Sequence, residues 1–180
     1  YDVRTSIPVF MHLTAGSVHD VQAMDEIVYE PGSFYIFDRG YLDFGRLFII
    51  HESKAFFVIR AKNNLQFKRQ YSAIVNKRTG VQCDQTGELK GFYSNKDYPG
   101  KIRRIKFHDA DQNRKFVFLT NNLHLAPEEI AALYKQRWKV ELFFKWIKQH
   151  LKIKSFWGTT ENAVKTQVYI AVITYTLVAI

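Results

Sequence analysis

The sequence predicts an α/β protein, and three observations carry that prediction. Up to residue 52, short apolar runs of strand character alternate with helix-like spacing. From 53 to 122, strand-like runs follow one another between Gly, Asn and Asp clusters, and from 123 onward helix signals return. Alternation of strand and helix implies a sheet covered by helices, so the expected organisation is a first core part at 1–52, a β-rich basic insertion at 53–122 and a second core part at 123–180. With 180 residues and 47% hydrophobic content, the chain suits one compact core carrying an insertion.

Ile7 to Leu13 has the β-branched and aromatic content of a strand with Pro8 near its start, and Val18 to Tyr29 has the apolar spacing of a short helix. Pro31-Gly32 marks a turn. Phe34-Tyr35-Ile36-Phe37 is wholly apolar, as expected of a strand covered on both faces, and Leu42 to His51 reads as the next helix. Ala55–Ala61, Ser72–Val75, Lys101–Phe107 and Lys115–Thr120 read as strands; Ile105 and Phe107 alternate with Arg104 and Lys106, as on a half-exposed sheet. Pro127 followed by Glu128 and Glu129 suits a helix start, and the spacing predicts one helix from there to Leu151. Another helix is expected from Thr159 or Thr160, with Glu161 in its first turn.

The net charge of +9 is unevenly spread. Tyr1 to Ser53 carries three basic and eight acidic residues, Lys54 to Lys115 fifteen basic and five acidic, and Tyr134 to Lys154 seven basic and one acidic. Basic blocks interleaved with Phe67, Tyr71, Phe92, Tyr93, Tyr98 and Phe107 favour a polyanion partner, most simply nucleic acid; a solvated cationic surface is the alternative. The single cysteine, Cys83, excludes an internal disulfide and a cysteine-rich zinc site. The apolar tail Val168–Ile180 falls short of the ~20 residues a membrane span needs, so it is expected to be a buried helix. No signal peptide is visible, and the expected location is intracellular. The chain opens at Tyr1 and stops inside an apolar run, so both ends read as cut.

Two acids stand out. Asp38 follows the buried strand at its carboxyl end, where open α/β sheets place ligand sites; the competing role is a cap of the turn that follows. Arg39 beside it offers a phosphate or carboxylate contact. Glu141 is the single acid in the second basic block. At about 100° per residue, Tyr134, Arg137, Glu141 and Lys148 fall on one stripe about 60° wide. Leu133, Val140, Phe144, Ile147 and Leu151 form the adjacent core stripe. The competing role for Glu141 is pairing with Arg137 and Lys145, worth about 0.2–0.5 kcal/mol each. His12, His19 and Asp20 fall at spacings that six scattered histidines produce readily, and ordinary packing or surface roles are the preferred reading, with His19-Asp20 as possible neighbours of the site. No Ser–His nucleophile arrangement and no Gly-rich phosphate loop is present.

Tyr134-x2-Arg137-x3-Glu141-x6-Lys148, with its surrounding run Leu133 to Lys145, resembles the YREK signature of bacterial insertion-sequence DDE transposases of the IS-four type, and Asp38-Arg39-Gly40-Tyr41 resembles that family's segment around its second acidic residue. The resemblance implies an RNase H-like (retroviral-integrase-like) mixed sheet flanked by helices and interrupted by a β-rich insertion. It implies that Asp38 and Glu141 are catalytic metal ligands, for Mg2+ with Mn2+ as a substitute. Tyr134, Arg137 and Lys148, together with Arg39, Tyr41 and Lys145, would contact DNA. The first Asp of the triad has no counterpart here, since Asp2 precedes Asp38 by too little chain, and it is expected upstream. The implied partners are double-stranded DNA, at element ends and target, and a second copy in a synaptic dimer, with no membrane involved. The implied location is the bacterial cytoplasm at the nucleoid. Alternatives are a structure-specific nuclease of the same fold and an inactive DNA-binding relic.

Overall fold

The computed structural model describes residues 1–13, 19–150 and 156–179. They fall into two compact units, His19–Lys135 and the combination of Tyr1–Val18 with Gln136–Ile180.

The His19–Lys135 unit is built on a six-stranded mixed sheet: β1 (Phe34–Phe37), β2 (Phe56–Arg60), β3 (Phe67–Ala73), β4 (Val81–Leu89), β5 (Ile102–Asp109) and β6 (Arg114–Thr120), in the order β1-β2-β6-β5-β4-β3. β1 and β2 are parallel, with Phe34 opposite Phe56 and Phe37 opposite Ile59. Every other pair is antiparallel. A parallel pair needs a crossover, which α1 (Phe44–Glu52) supplies. Asp43 caps α1 by accepting from Arg46 N at 3.0 Å. Arg46 also bridges to Asp25 at 2.6 Å, tying α1 to the short 3-10 helix Asp20–Glu26.

Two apolar clusters cover the two faces of the sheet. On one, Leu47 and Ile50 of α1 pack on Phe57, Ile59, Ile102 and Leu119. Tyr98 is fully buried there, its hydroxyl 2.6 Å from His51 Nδ1. On the other, Ile130, Ala131 and Tyr134 of α3 (Pro127–Lys135) pack on Val58, Val81, Ile105 and Phe118. The alternation of Phe57, Val58 and Ile59 between the clusters is the two-residue period of a strand buried on both sides.

β4 and the short helix α2 (Phe92–Asp97) have no forerunner among the predicted elements. β4 is polar, but its Asp84 faces inward to meet Arg103 of β5 through two hydrogen bonds of 2.8 and 2.7 Å, and Arg103 also donates to Leu125 O at 2.6 Å. Both side chains are buried, at 6% and 9% exposure. Gly80 enters β4 at φ +90°, and a Cβ there would lie 2.7 Å from His108 O, so the position requires glycine on both counts.

Several expectations give way. Ile7–Leu13 is not a strand: Asp2 and Ile7 form one isolated bridge, Pro8 offers no N–H, and no ladder partner extends the pairing. The Val18–Tyr29 helix shortens to a 3-10 segment, and the strand expected at Ser72–Val75 lies earlier, at Phe67–Ala73. The single helix from Pro127 to Leu151 is two, α3 and α4 (Trp138–His150), with Gln136 and Arg137 in a turn between them. Leu151 lies outside the described residues.

In the other unit, α4 and α5 (Glu161–Ala179) meet through Phe143, Ile147 and Ala171, joined by Tyr1, Trp146, Val172 and Tyr175. The turn resets the helical phase, so Phe143 is buried and Phe144, expected in the core stripe, is exposed. α5 starts where its sequence predicts, but it is not buried all round. Ile170, Ile173, Leu177 and Val178 are exposed; among the described residues of its own unit, α4 and Tyr1 pack on the stripe around Ala171 and Tyr175.

The buried ion pair yields a test. Asp84→Ala strands the Arg103 guanidinium, and equilibrium urea unfolding is expected to show a loss of about 3–5 kcal/mol. Replacing both partners with Leu and Met is expected to recover most of it. Equal losses in the two variants would remove the pair from its assigned role.

Candidate functional site

Asp38 is half-buried at the carboxyl end of β1 and is the N-cap of a 3-10 turn, Arg39–Tyr41, accepting from Arg39 N with one carboxylate oxygen. The chain turns here because Asp38 O also accepts from Tyr41 N at 3.0 Å. The capping role weighed from the sequence is therefore realised. The cap engages one carboxylate oxygen with a neutral donor. The Arg39 side chain is exposed, and Tyr41 is half-buried against Phe37. Burial pushes the Tyr41 hydroxyl above its usual pKa, and the carboxylates of Asp20 and Asp38 add to the rise.

Glu141 lies in the first turn of α4, where a carboxylate complements the amino-terminal end of the helix dipole. Arg137 holds it at 2.6 Å across one helical turn, the two side chains being 25% and 42% exposed. The ion pair foreseen as the competing role is thus formed, and Glu141 keeps access to solvent. Lys145 and Lys148 are exposed on the same helix.

Tyr134 is the site residue whose surroundings depart most from expectation. The four-residue stripe assumed an unbroken helix, and the turn at Gln136–Arg137 separates Tyr134 of α3 from Arg137, Glu141 and Lys148. Its ring is 7% exposed, with its centroid 4.7 Å from that of Phe118. Phe116 packs on the same ring, centroid to centroid at 6.1 Å. The next residue, Lys135, ends α3 with a bridge of 3.1 Å to the buried Asp109.

Asp2 is engaged by its own neighbours in the chain. Its carboxylate accepts from Arg4 N at 2.8 Å and Thr5 Oγ1 at 2.9 Å, and these bonds hold its pKa below the usual carboxylate value. Among the described residues no three His, Cys, Asp or Glu side chains group as a metal cluster.

The model of the family described as "Transposase DDE domain" matches residues 1–177. The chain belongs to the DDE transposase family. The protein y4zB of Sinorhizobium fredii, named as a transposase, is 41% identical over 184 residues, which cover 100% of this chain and 51% of the relative. A Geobacillus stearothermophilus protein named as transposase for insertion sequence element IS5377 is 35% identical over 98% of this chain and 46% of its own length. A third, from Synechocystis and named for insertion sequence element IS4SA, is 25% identical over 97% of this chain and 49% of its own. The chain therefore spans about half the length of the curated relatives it matches. The mixed sheet flanked by helices is consistent with the RNase H-like core of a DDE transposase, and the family generally uses divalent metals. No helix among the described residues is long and apolar enough to cross a membrane.

The sequence reading missed Asp109 and Lys135, which fix the end of α3. Asp109 is buried, which alone would raise its pKa. The hydrogen bond from Lys135, the backbone bonds from Gln112 and Asp111 and the Lys135 charge outweigh burial and hold it below the usual value. A carboxyl whose folded pKa is depressed contributes stability that is present above its unfolded pKa, about 3.9, and lost as pH falls through the folded value. The stability difference between the parent and Asp109→Asn is therefore expected to be full at neutral pH and to shrink on acidification below about pH 4. Unfolding midpoints at neutral and acid pH check this; a difference independent of pH would assign the loss to packing.

Proposed function

We propose that the full-length protein is a transposase that cleaves DNA at insertion-sequence ends and joins the freed 3′ end to target DNA, with Asp38 and Glu141 as two members of its metal-binding acid set. One observation carries the reading: the chain matches the DDE domain over nearly its whole length with an acid at a strand's carboxyl end and another in the first turn of a helix. Both are hard oxygen donors, the ligand class suited to Mg2+ or Mn2+, ions that complete their shells with water and phosphate oxygens. Bound there, such ions would supply charge stabilisation at the attacked phosphate and lower the pKa of an attacking water. The first Asp of the set is expected upstream of residue 1, and the YREK subtype is part of the same proposal.

The chain's own residues supply the rest. Arg137 offers a planar guanidinium for bidentate phosphate contact and pairs with Glu141 across one helical turn. Lys145, Lys148 and Arg39 are exposed point contacts for the DNA backbone, and Tyr41 presents a hydroxyl beside Asp38. Tyr134 acts differently from the other five: buried against Phe116 and Phe118, it anchors α3 at the turn that leads to Arg137. A dimer on paired ends and a place at the nucleoid follow from the same reading.

Two variants of the full-length protein test it. Glu141→Gln removes an ionic ligand while keeping shape, so cleavage of element-end DNA with Mg2+ is expected to be abolished while the binding constant changes little. Retained cleavage would refute the metal role. Arg137→Ala is expected to weaken binding to element ends more than to unrelated duplexes, as competition titrations would show. A uniform loss would reduce Arg137 to a nonspecific contact.

A further inference from the structure

At the turn end of the β5–β6 hairpin, Arg60, His108, Asn113, Arg114, Lys115 and Phe116 line a groove of about 460 Å³. Three of the six are permanent cations, His108 and Asn113 add polar nitrogens, and none is acidic. Arg60 is held in place with its guanidinium over the Phe116 ring, 5.3 Å from the centroid, and His108 Nε2 meets Asn113 Oδ1 at 3.3 Å. The two carboxylates of the same hairpin, Asp109 and Asp111, lie outside the lining and share Lys135, which offsets one of their charges, so the three lining cations keep the groove positive.

Register places this groove relative to Asp38. Phe37 pairs with Ile59 in the parallel ladder, and Arg60 pairs with Phe118 of β6. The next step of the first ladder sets Asp38 beside Arg60. From there β6 runs back to Lys115 and Arg114, opposite His108 and Asp109 of β5. The carboxyl ends of β1, β2 and β5 and the amino end of β6 therefore share one end of the sheet. The acid stands at one side of that end and the cations extend away from it.

We propose that this groove binds the sugar-phosphate backbone of double-stranded DNA and leads the strand toward Asp38, a contact surface additional to the helix carrying Arg137 and Lys148. The choice of DNA rests on the reading of the protein as a transposase; the choice of a polyanion rests on the groove. Arg60 and Arg114 suit phosphate oxygens in pairs, whereas Lys115 contributes a mobile point charge. Such contacts carry no base preference, so they position DNA without specifying sequence.

The test is a salt titration of duplex binding by the full-length protein, followed by fluorescence anisotropy on a labelled DNA of unrelated sequence. Each phosphate contact contributes about 0.9 to the slope of log K against log salt. R114Q/K115Q is expected to lower that slope by about 2, and K115Q alone by about 0.9. The matched control is K68Q/R69Q, which removes two exposed charges from β3 at the far edge of the sheet and is expected to change the slope less. An unaltered slope in R114Q/K115Q, with the parental unfolding midpoint retained, would overturn the proposal, as would an equal fall in the control. A duplex RNA of the same length that binds the parent more tightly and loses more in R114Q/K115Q would overturn the assignment to DNA. A parent that binds DNA with its full slope but never cuts element ends would defeat the transposase reading and leave the groove standing. A parent that cuts, alongside an R114Q/K115Q variant that binds as the parent does, would defeat the groove alone.

Discussion

Strand β2 must satisfy two neighbours of opposite sense, and the architecture of its unit follows from that demand. On one side it runs parallel to β1, and on the other antiparallel to β6. Phe57, Val58 and Ile59 have 0% exposure, so the strand has no solvent face on which polar groups could be tolerated. Parallel pairing requires the α1 crossover to cover one face, and α3 covers the other. Asp38 owes its position to this arrangement. It follows β1 immediately, at the carboxyl end of the parallel pair, where the chain turns into Arg39–Tyr41.

What was legible in the sequence was whatever apolar patterning dictates. Phe34–Phe37 was recognisable because a wholly apolar tetrad bounded by Gly32 and Asp38 has few alternatives to a covered strand. The start of α5 was recognisable because Thr160 and Glu161 mark a helix beginning, and Thr160 Oγ1 does accept from Ala163 N at 3.3 Å. β4 was not, because its inward positions include Asp84, and a buried carboxylate is compatible with a strand only if a cation arrives from elsewhere. Arg103 does so from 19 residues away, a partnership that no local pattern reveals. Ile7–Leu13 failed for the converse reason: strand-like composition is permissive, and a strand exists only where a neighbour supplies hydrogen bonds.

The candidate site shows the same division. Each acid was identifiable from its setting and motif, because Asp38 follows an apolar strand and Glu141 is the single acid in a basic helix. The turn at Gln136–Arg137 was hidden, since Leu-Tyr-Lys-Gln-Arg-Trp contains neither Gly nor Pro to mark it. A helical wheel drawn through that turn merges two phases. The consequence is specific: Tyr134 belongs with Phe116 and Phe118, whereas Arg137, Glu141 and Lys148 follow the phase set by α4. Residues at helix-like spacing thus need not share one surface where a turn interrupts the helix.

The strength of the Arg137–Glu141 bridge bears on how a metal ligand can be kept ready. A partly exposed pair one helical turn apart is worth about 0.2–0.5 kcal/mol, enough to bias the carboxylate's direction and too little to compete with a divalent ion. A buried pair such as Asp84–Arg103 would be the wrong device, since separating it strands a charge at a cost of about 3–5 kcal/mol. The chain uses each kind where its energetics fit. The strong pair lies inside the sheet, joining β4 to β5. The weak pair lies in the first turn of α4, between side chains that both keep contact with solvent.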